Sequence, residues 1–137
     1  MATFTLLSTF DAVGTSTQEG QHYDSWTLSL RQHQFGDPAS HHDNCSICRR
    51  YGALWGYFTQ PEVKVIDQGA GLEQYVWGDQ CIEFQRCKGC GCVTHYTAAP
   101  GTGSERLAVN YRMFDSVVQQ ALTIRHFDGA DSWRYLD

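Results

Sequence analysis

The chain has 137 residues, with 15 acidic against 10 basic side chains and a formal net charge of −5. That length suits a single domain over residues 1–137, burying roughly two thirds of the surface its unfolded form exposes, so no metal is needed merely to fold. Aromatic residues make up 13% and charged residues 18%, which speaks for a globular chain rather than a disordered one. The Arg49-Arg50 pair is the one cluster of basic residues, which argues against binding to nucleic-acid phosphates.

At the N-terminus, MATFTLLSTFDAVG has a short apolar run with no basic residue ahead of it and no small-residue cleavage site, unlike a secretory signal. No stretch reaches the roughly 20 apolar residues of a membrane helix. The expectation is a cytoplasmic protein with no membrane partner, its thiols kept reduced. The six cysteines are therefore not read as the three disulfides of a secreted scaffold.

Trp26, Leu28 and Leu30 alternate with polar residues, the period of a half-buried strand. Residues 36–40 have loop composition, and His41 and His42 follow in a polar stretch read as a solvated loop. Further strands are expected over 54–59, 63–67, 72–77, 82–86, 93–98 and 107–112, where Val, Ile, Thr and aromatic residues concentrate between Gly, Asp and Pro. Seven short strands at this spacing predict a mainly β, antiparallel domain. A second loop falls at 100–104. Beyond Phe114, Asp115 or Ser116 is placed to cap a short helix through Val117, Val118, Ala121 and Leu122. Asp128-Gly129-Ala130-Asp131 reads as a turn with a structural role only. Trp55, Tyr57, Trp77 and Trp133 form either a packed aromatic core or a pocket wall, and are read as core.

Chemistry concentrates in two C-x-x-C pairs, Cys45 with Cys48 and Cys87 with Cys90. Zinc takes four ligands in a tetrahedron, and a C-x-x-C turn sets two thiolates on one side of such an ion. Gly91 suits the tight turn of the second pair. Both pairs are flanked by turn residues and charges, which argues against four cysteines serving as small hydrophobes. The four are taken as Zn2+ ligands, whether or not they share one ion. Cys81 and Cys92 are assigned to packing, and His95 and His126 to hydrogen-bonded structural roles. Arg49 and Arg50 either lower a neighbouring thiol pKa or bind a substrate carboxylate, or else hold the loop through an ion pair.

Four stretches, DNCSICRRYGALWGYF, WGDQCIEFQRCKGCGCVTHY, LAVNYRMFD and IRHFDGADSW, together resemble the glutathione-dependent formaldehyde-activating enzyme family, which also includes centromere protein V. The similarity runs from about residue 19 to the end. The resemblance implies tent-like antiparallel β-sheets around cysteine zinc knuckles. It also implies a structural zinc held by a first C-x-C motif with a later C-x-x-C-G, a catalytic zinc on a middle C-x-C-x-x-C-R-R, and the addition of glutathione to formaldehyde.

The chain departs from that pattern twice. Where the first C-x-C belongs, GQHYDSW offers either His22 and Asp24 or Gln21 and Tyr23. The second register keeps the alternation of the strand that follows, and leaves His22 between the two positions. In the middle motif Asp43 stands in place of the first cysteine, leaving Asp43, Cys45 and Cys48. A carboxylate binds zinc, at about 2.0–2.2 Å, but makes the site poorer in sulfur and the metal a stronger Lewis acid.

The expected function is a zinc-binding β domain of this family with weak or absent formaldehyde activation. Its metal ligands are Cys45, Cys48, Cys87 and Cys90, with His22, Asp24 and Asp43 as further candidates. The alternative is an active zinc-dependent carbon–sulfur lyase acting on a thiol–aldehyde adduct, with three protein ligands leaving a position for substrate sulfur. A small thiol such as glutathione is the expected partner, although no basic groove for its two carboxylates is evident beyond Arg49 and Arg50. No nucleotide-binding glycine loop, G-x-S-x-G or HExxH occurs, so no organic cofactor is expected.

Overall fold

The computed structural model describes residues 26–30, 39–67, 71–114 and 116–137. His22 and Asp24 lie outside these residues. The fold is mainly β, as composition and periodicity predict. Nine strands are present among the described residues: β1 (Trp26–Leu30), β2 (Ala39–Asp43), β3 (Trp55–Thr59), β4 (Val63–Asp67), β5 (Leu72–Val76), β6 (Ile82–Cys87), β7 (Val93–Ala98), β8 (Arg106–Asn110) and β9 (Thr123–Phe127). Two short helices, α1 (Cys48–Tyr51) and α2 (Ser116–Gln120), complete the regular structure with two 3₁₀ turns. No described helix is long and apolar enough to cross a membrane.

Seven strands form one sheet in the order β5-β6-β7-β8-β3-β2-β9, and β1 pairs with β4 in a second, two-stranded sheet. Most neighbours are antiparallel, but β2 and β9 run parallel, with His42 opposite His126 and Asp43 opposite Phe127. The large sheet is therefore mixed rather than purely antiparallel. It brings the last strand of the chain beside the stretch that leads into the first C-x-x-C.

Strand register divides the core in two. Trp55 faces Asn110, Tyr57 faces Ala108, Ala108 faces Tyr96, and Tyr96 faces Phe84. Residues directly opposite one another project to the same side of a sheet. On that side Trp55, Phe84, Tyr96 and Ala108 pack with Cys48 and Ala53, and Cys45, Ile47 and Tyr51 cover them. The other side holds Leu54, Val63, Cys87, Leu107, Val109, Tyr111 and Phe114, joined by Val65 of β4 and Val118 beyond β8. The first face thus carries the turn with Cys45 and Cys48, and the second is covered by the small sheet and α2.

Several expectations need correction. The predicted loop at 36–40 overlaps β2, so His41 and His42 belong to a strand; His41 is buried. Trp55 is in the core, but Trp77 and Trp133 are 46% and 73% exposed. Cys81 and Cys92 are exposed rather than packed, and all six cysteines are free thiols. Cys92 emerges from the turn between β6 and β7 before the strand begins, which is why its place in sequence suggested a core position it does not reach.

Candidate metal centre

The turn after β2 is shaped by local hydrogen bonds. Asp43 Oδ1 accepts the Cys45 backbone N–H at 2.8 Å, an Asx-turn of the kind aspartate favours. The Arg49 N–H then donates to the Cys45 carbonyl at 3.1 Å, and the Gly52 N–H to that of Cys48 at 3.0 Å. Gly52 ends α1 at φ 61°, a left-handed conformation that glycine adopts without the steric penalty of a β-carbon. The turn is fastened to the sheet by Trp55 Nε1–H donating to Cys48 Sγ at 3.3 Å and Trp77 Nε1–H donating to Ser46 Oγ at 3.3 Å.

The consequence is that Asp43, Cys45 and Cys48 converge, their ligand atoms all lying within 4.8 Å of one another. Tetrahedral zinc with bonds of about 2.3 Å separates its ligands by about 3.8 Å, so two thiols and a carboxylate in this arrangement suit such an ion after a small contraction. Cys48 is buried while Asp43 and Cys45 are partly exposed, so the group opens toward solvent on one side. Burial pushes the Cys48 thiol far up, reinforced by its hydrogen bond with Cys45 and by the Asp43 carboxylate, and opposed by the Trp55 N–H. A metal would have to displace that proton, making its binding pH-dependent.

The C-terminal loop completes the setting. The Asn44 N–H donates to the Phe127 carbonyl at 3.2 Å, Asn44 Nδ2–H to Asp128 Oδ1 at 2.8 Å, and the Ala130 N–H to Asn44 Oδ1 at 2.9 Å. Gly129 lies so close that a β-carbon there would meet Asp43 Oδ1 at 2.3 Å. The Asp-Gly-Ala-Asp stretch, expected to have only a structural role, therefore borders the donor group. The pairing of β9 with β2 makes this contact, and no spacing rule relates residues so far apart.

Cys87 and Cys90 do not join the group. They sit in the turn from β6 to β7, where the Gly91 N–H donates to the Cys87 carbonyl at 2.8 Å and the Cys87 N–H to the Cys92 carbonyl at 2.9 Å. Gly91 has φ 76°, the knuckle-like turn its sequence predicts. Cys87 is buried among aliphatic and aromatic side chains, and Cys90 is exposed. The segment expected to face this pair, with His22 and Asp24, is outside the described residues.

His41 is likewise absent from the donor group. Its ring stacks on Tyr57 with centroids 4.5 Å apart, and Nδ1 lies 2.8 Å from the Tyr135 hydroxyl. Burial and the Arg125 charge lower its pKa, and burial raises Tyr57 to about 12. His42 and His126 face each other across β2 and β9 with ring centroids 5.6 Å apart. Arg50 hydrogen-bonds the Ser46 carbonyl, so it braces the turn through a carbonyl rather than through an ion pair.

Fold and site together define a mainly β protein with a carboxylate–dithiol group that could hold a metal ion. No model of a known protein family matches the chain, and no curated protein matches it either. A crystal structure of a Rhodobacter sphaeroides protein, determined as a structural-genomics target, is similar to it with a TM-score of 0.54 and 22% identity, over 73% of this chain and 89% of the other. At that identity the likeness supports the β architecture and carries no chemistry across.

Proposed function

We propose that the chain is a zinc-binding β domain of the glutathione-dependent formaldehyde-activating kind, with Asp43, Cys45 and Cys48 as ligands of one ion and weak or absent formaldehyde activation. The observation that carries this reading is the convergence of those three donors within 4.8 Å. When bound, zinc would supply a fourth position at which an external thiol is held as thiolate. Asp43 orients Cys45 through its accepted N–H, and Trp55 fixes the Cys48 sulfur, so the donors are preset by the fold.

Activity is expected to be low because a carboxylate in place of a thiolate weakens the hold on a borderline-soft ion. Formaldehyde also adds to thiols unaided, leaving a background to be beaten. A second reading, an active carbon–sulfur lyase with a small thiol such as glutathione as partner, draws support from the same ligand count: three protein donors leave a position free, whereas four thiolates would not.

Elemental analysis with X-ray absorption on the purified chain, followed by exchange NMR with formaldehyde and glutathione, tests both. The expected result is one zinc or less per chain, bound by sulfur and oxygen, and little acceleration of S-hydroxymethylglutathione formation, with a gain for Asp43→Cys. Two tightly held ions per chain would refute the stoichiometry, and a metal-free protein of unchanged stability after chelation would remove the site. A large, metal-dependent acceleration by the unmodified chain would establish the lyase reading instead.

A further inference from the structure

We propose that a cleft beside the donor turn, lined by none of the three donors, binds small organic dianions with an apolar body, such as an aromatic dicarboxylate. The cleft has a volume of about 680 Å³, within the range of small-molecule sites, roughly 300–1,000 Å³. Arg50 of α1, Arg86 of β6 and Arg112 of the turn after β8 reach it from three separate elements, around Phe84, Val93 and Glu73. In a chain of net charge −5, three guanidiniums around one cavity run against the overall sign. Among the described residues Glu73 is the one carboxylate of the lining, so cations outnumber anions there.

The arginines are held in place without being used up. Arg86 pairs with Glu73, Arg50 bonds the Ser46 carbonyl, and Arg112 Nε–H donates to the Gly52 carbonyl at 3.2 Å. A guanidinium has five N–H donors, and its planar fork matches a carboxylate in two parallel hydrogen bonds. Each of these side chains therefore keeps donors for a ligand. Apart from the polar Gln74 and Asn110, the rest of the lining is mainly apolar and aromatic: Tyr51 meets the buried Phe84 ring edge-on at 5.4 Å, and Tyr75 stands on the rim at 44% exposure. Two anionic groups with a flat apolar body between them satisfy both parts of the cleft. The sequence shows no basic groove because these arginines meet only when β6, β8 and α1 pack.

The test is a calorimetric titration of the full-length chain with isophthalate, beside its neutral isostere isophthalamide. Saturable isophthalate binding is expected, weakened about tenfold by Arg50→Gln or Arg86→Gln, as loss of a charge-assisted hydrogen bond would give; isophthalamide should not bind. Arg86→Gln and Glu73→Gln abolish the same ion pair, so any structural damage is shared. An anion site requires them to act oppositely, with Glu73→Gln binding several-fold more tightly. Absence of saturable binding at millimolar isophthalate, equal binding of isophthalamide, or weakening by Glu73→Gln as well as Arg86→Gln would each overturn the proposal. The Arg86–Glu73 pair lies on β6 and β5, away from the donor turn, so unchanged zinc content in Arg86→Gln and Glu73→Gln keeps this result separate from that of the metal centre. Arg50→Gln also removes a bond to the Ser46 carbonyl and serves only as a supporting variant.

Discussion

Cys45-x-x-Cys48 and Cys87-x-x-Cys90 have the same spacing, and the fold delivers them to opposite faces of one sheet. The first pair follows a strand that ends in Asp43, whose carboxylate turns back to accept the Cys45 N–H and so stays beside both sulfurs. The second pair closes a hairpin, where alternation sends Cys87 into an aliphatic cluster with Leu54, Val63 and Val109 while Cys90 faces solvent. Among the described residues, equal spacing thus gives unequal surroundings. A third donor on the same side decides which pair forms a ready group, and the strand preceding the motif supplies it.

The largest effect should separate the two pairs by metal affinity. Cys45→Ser removes one of three converging donors and is expected to weaken zinc binding about 1,000-fold, or about 4 kcal/mol at 1.4 kcal/mol per decade. Cys90→Ser should leave that affinity unchanged. Competition against a chromophoric chelator measures both. Equal losses would show that the pairs share one ion, and that the arrangement of the free chain is not that of the metal-bound one.

A smaller effect should appear in stability on the Cys87 face. Cys87 is 1% exposed and Cys92 lies at the surface. Cys87→Ser places a hydroxyl among apolar side chains at a cost of about 2 kcal/mol, whereas Cys92→Ser should stay within about 0.5 kcal/mol. Urea melts repeated with and without a chelator sharpen the result. A difference that persists after chelation assigns Cys87 to packing, and one that vanishes with the metal makes it a ligand, since metal-binding energy then counts as folding energy.

Legibility in the sequence follows the same division. Strands β3 to β8 were readable because Val, Ile, Thr and aromatic residues concentrate between turn residues, and the elements match the predicted ranges within a residue or two. The strands β2 and β9 were not: ASHHD has no apolar alternation, and its partner TIRHF lies far along the chain and runs parallel to it. The donor turn was legible because Asp43, Cys45 and Cys48 are close in sequence and their motif is local. The border of that turn at Gly129 and the arginine-lined cleft were not, since each depends on elements brought together only by sheet order.

The smallest expected effect breaks the site without touching a donor. Gly129 is not in the left-handed region of backbone space, so alanine introduces no conformational strain there. Its β-carbon would nevertheless stand 2.3 Å from Asp43 Oδ1 and 3.0 Å from Oδ2, inside any contact distance. The loop resists withdrawal, being tied to Asn44 by bonds of 2.8 and 2.9 Å. The carboxylate is therefore the group that must rotate, taking its oxygen away from the two sulfurs. Gly129→Ala should weaken zinc binding about tenfold, the scale of losses around a metal site when a neighbouring group is disturbed. It should lower the stability of the metal-free chain by no more than about 1 kcal/mol, the scale of the one partly exposed hydrogen bond from the Cys45 N–H to Asp43 that the rotation disturbs. X-ray absorption on the loaded variant should show an altered oxygen contribution with both sulfurs retained. If affinity and spectrum match the unmodified chain, Asp43 is not a ligand, and the contrast between the two cysteine pairs rests on burial alone.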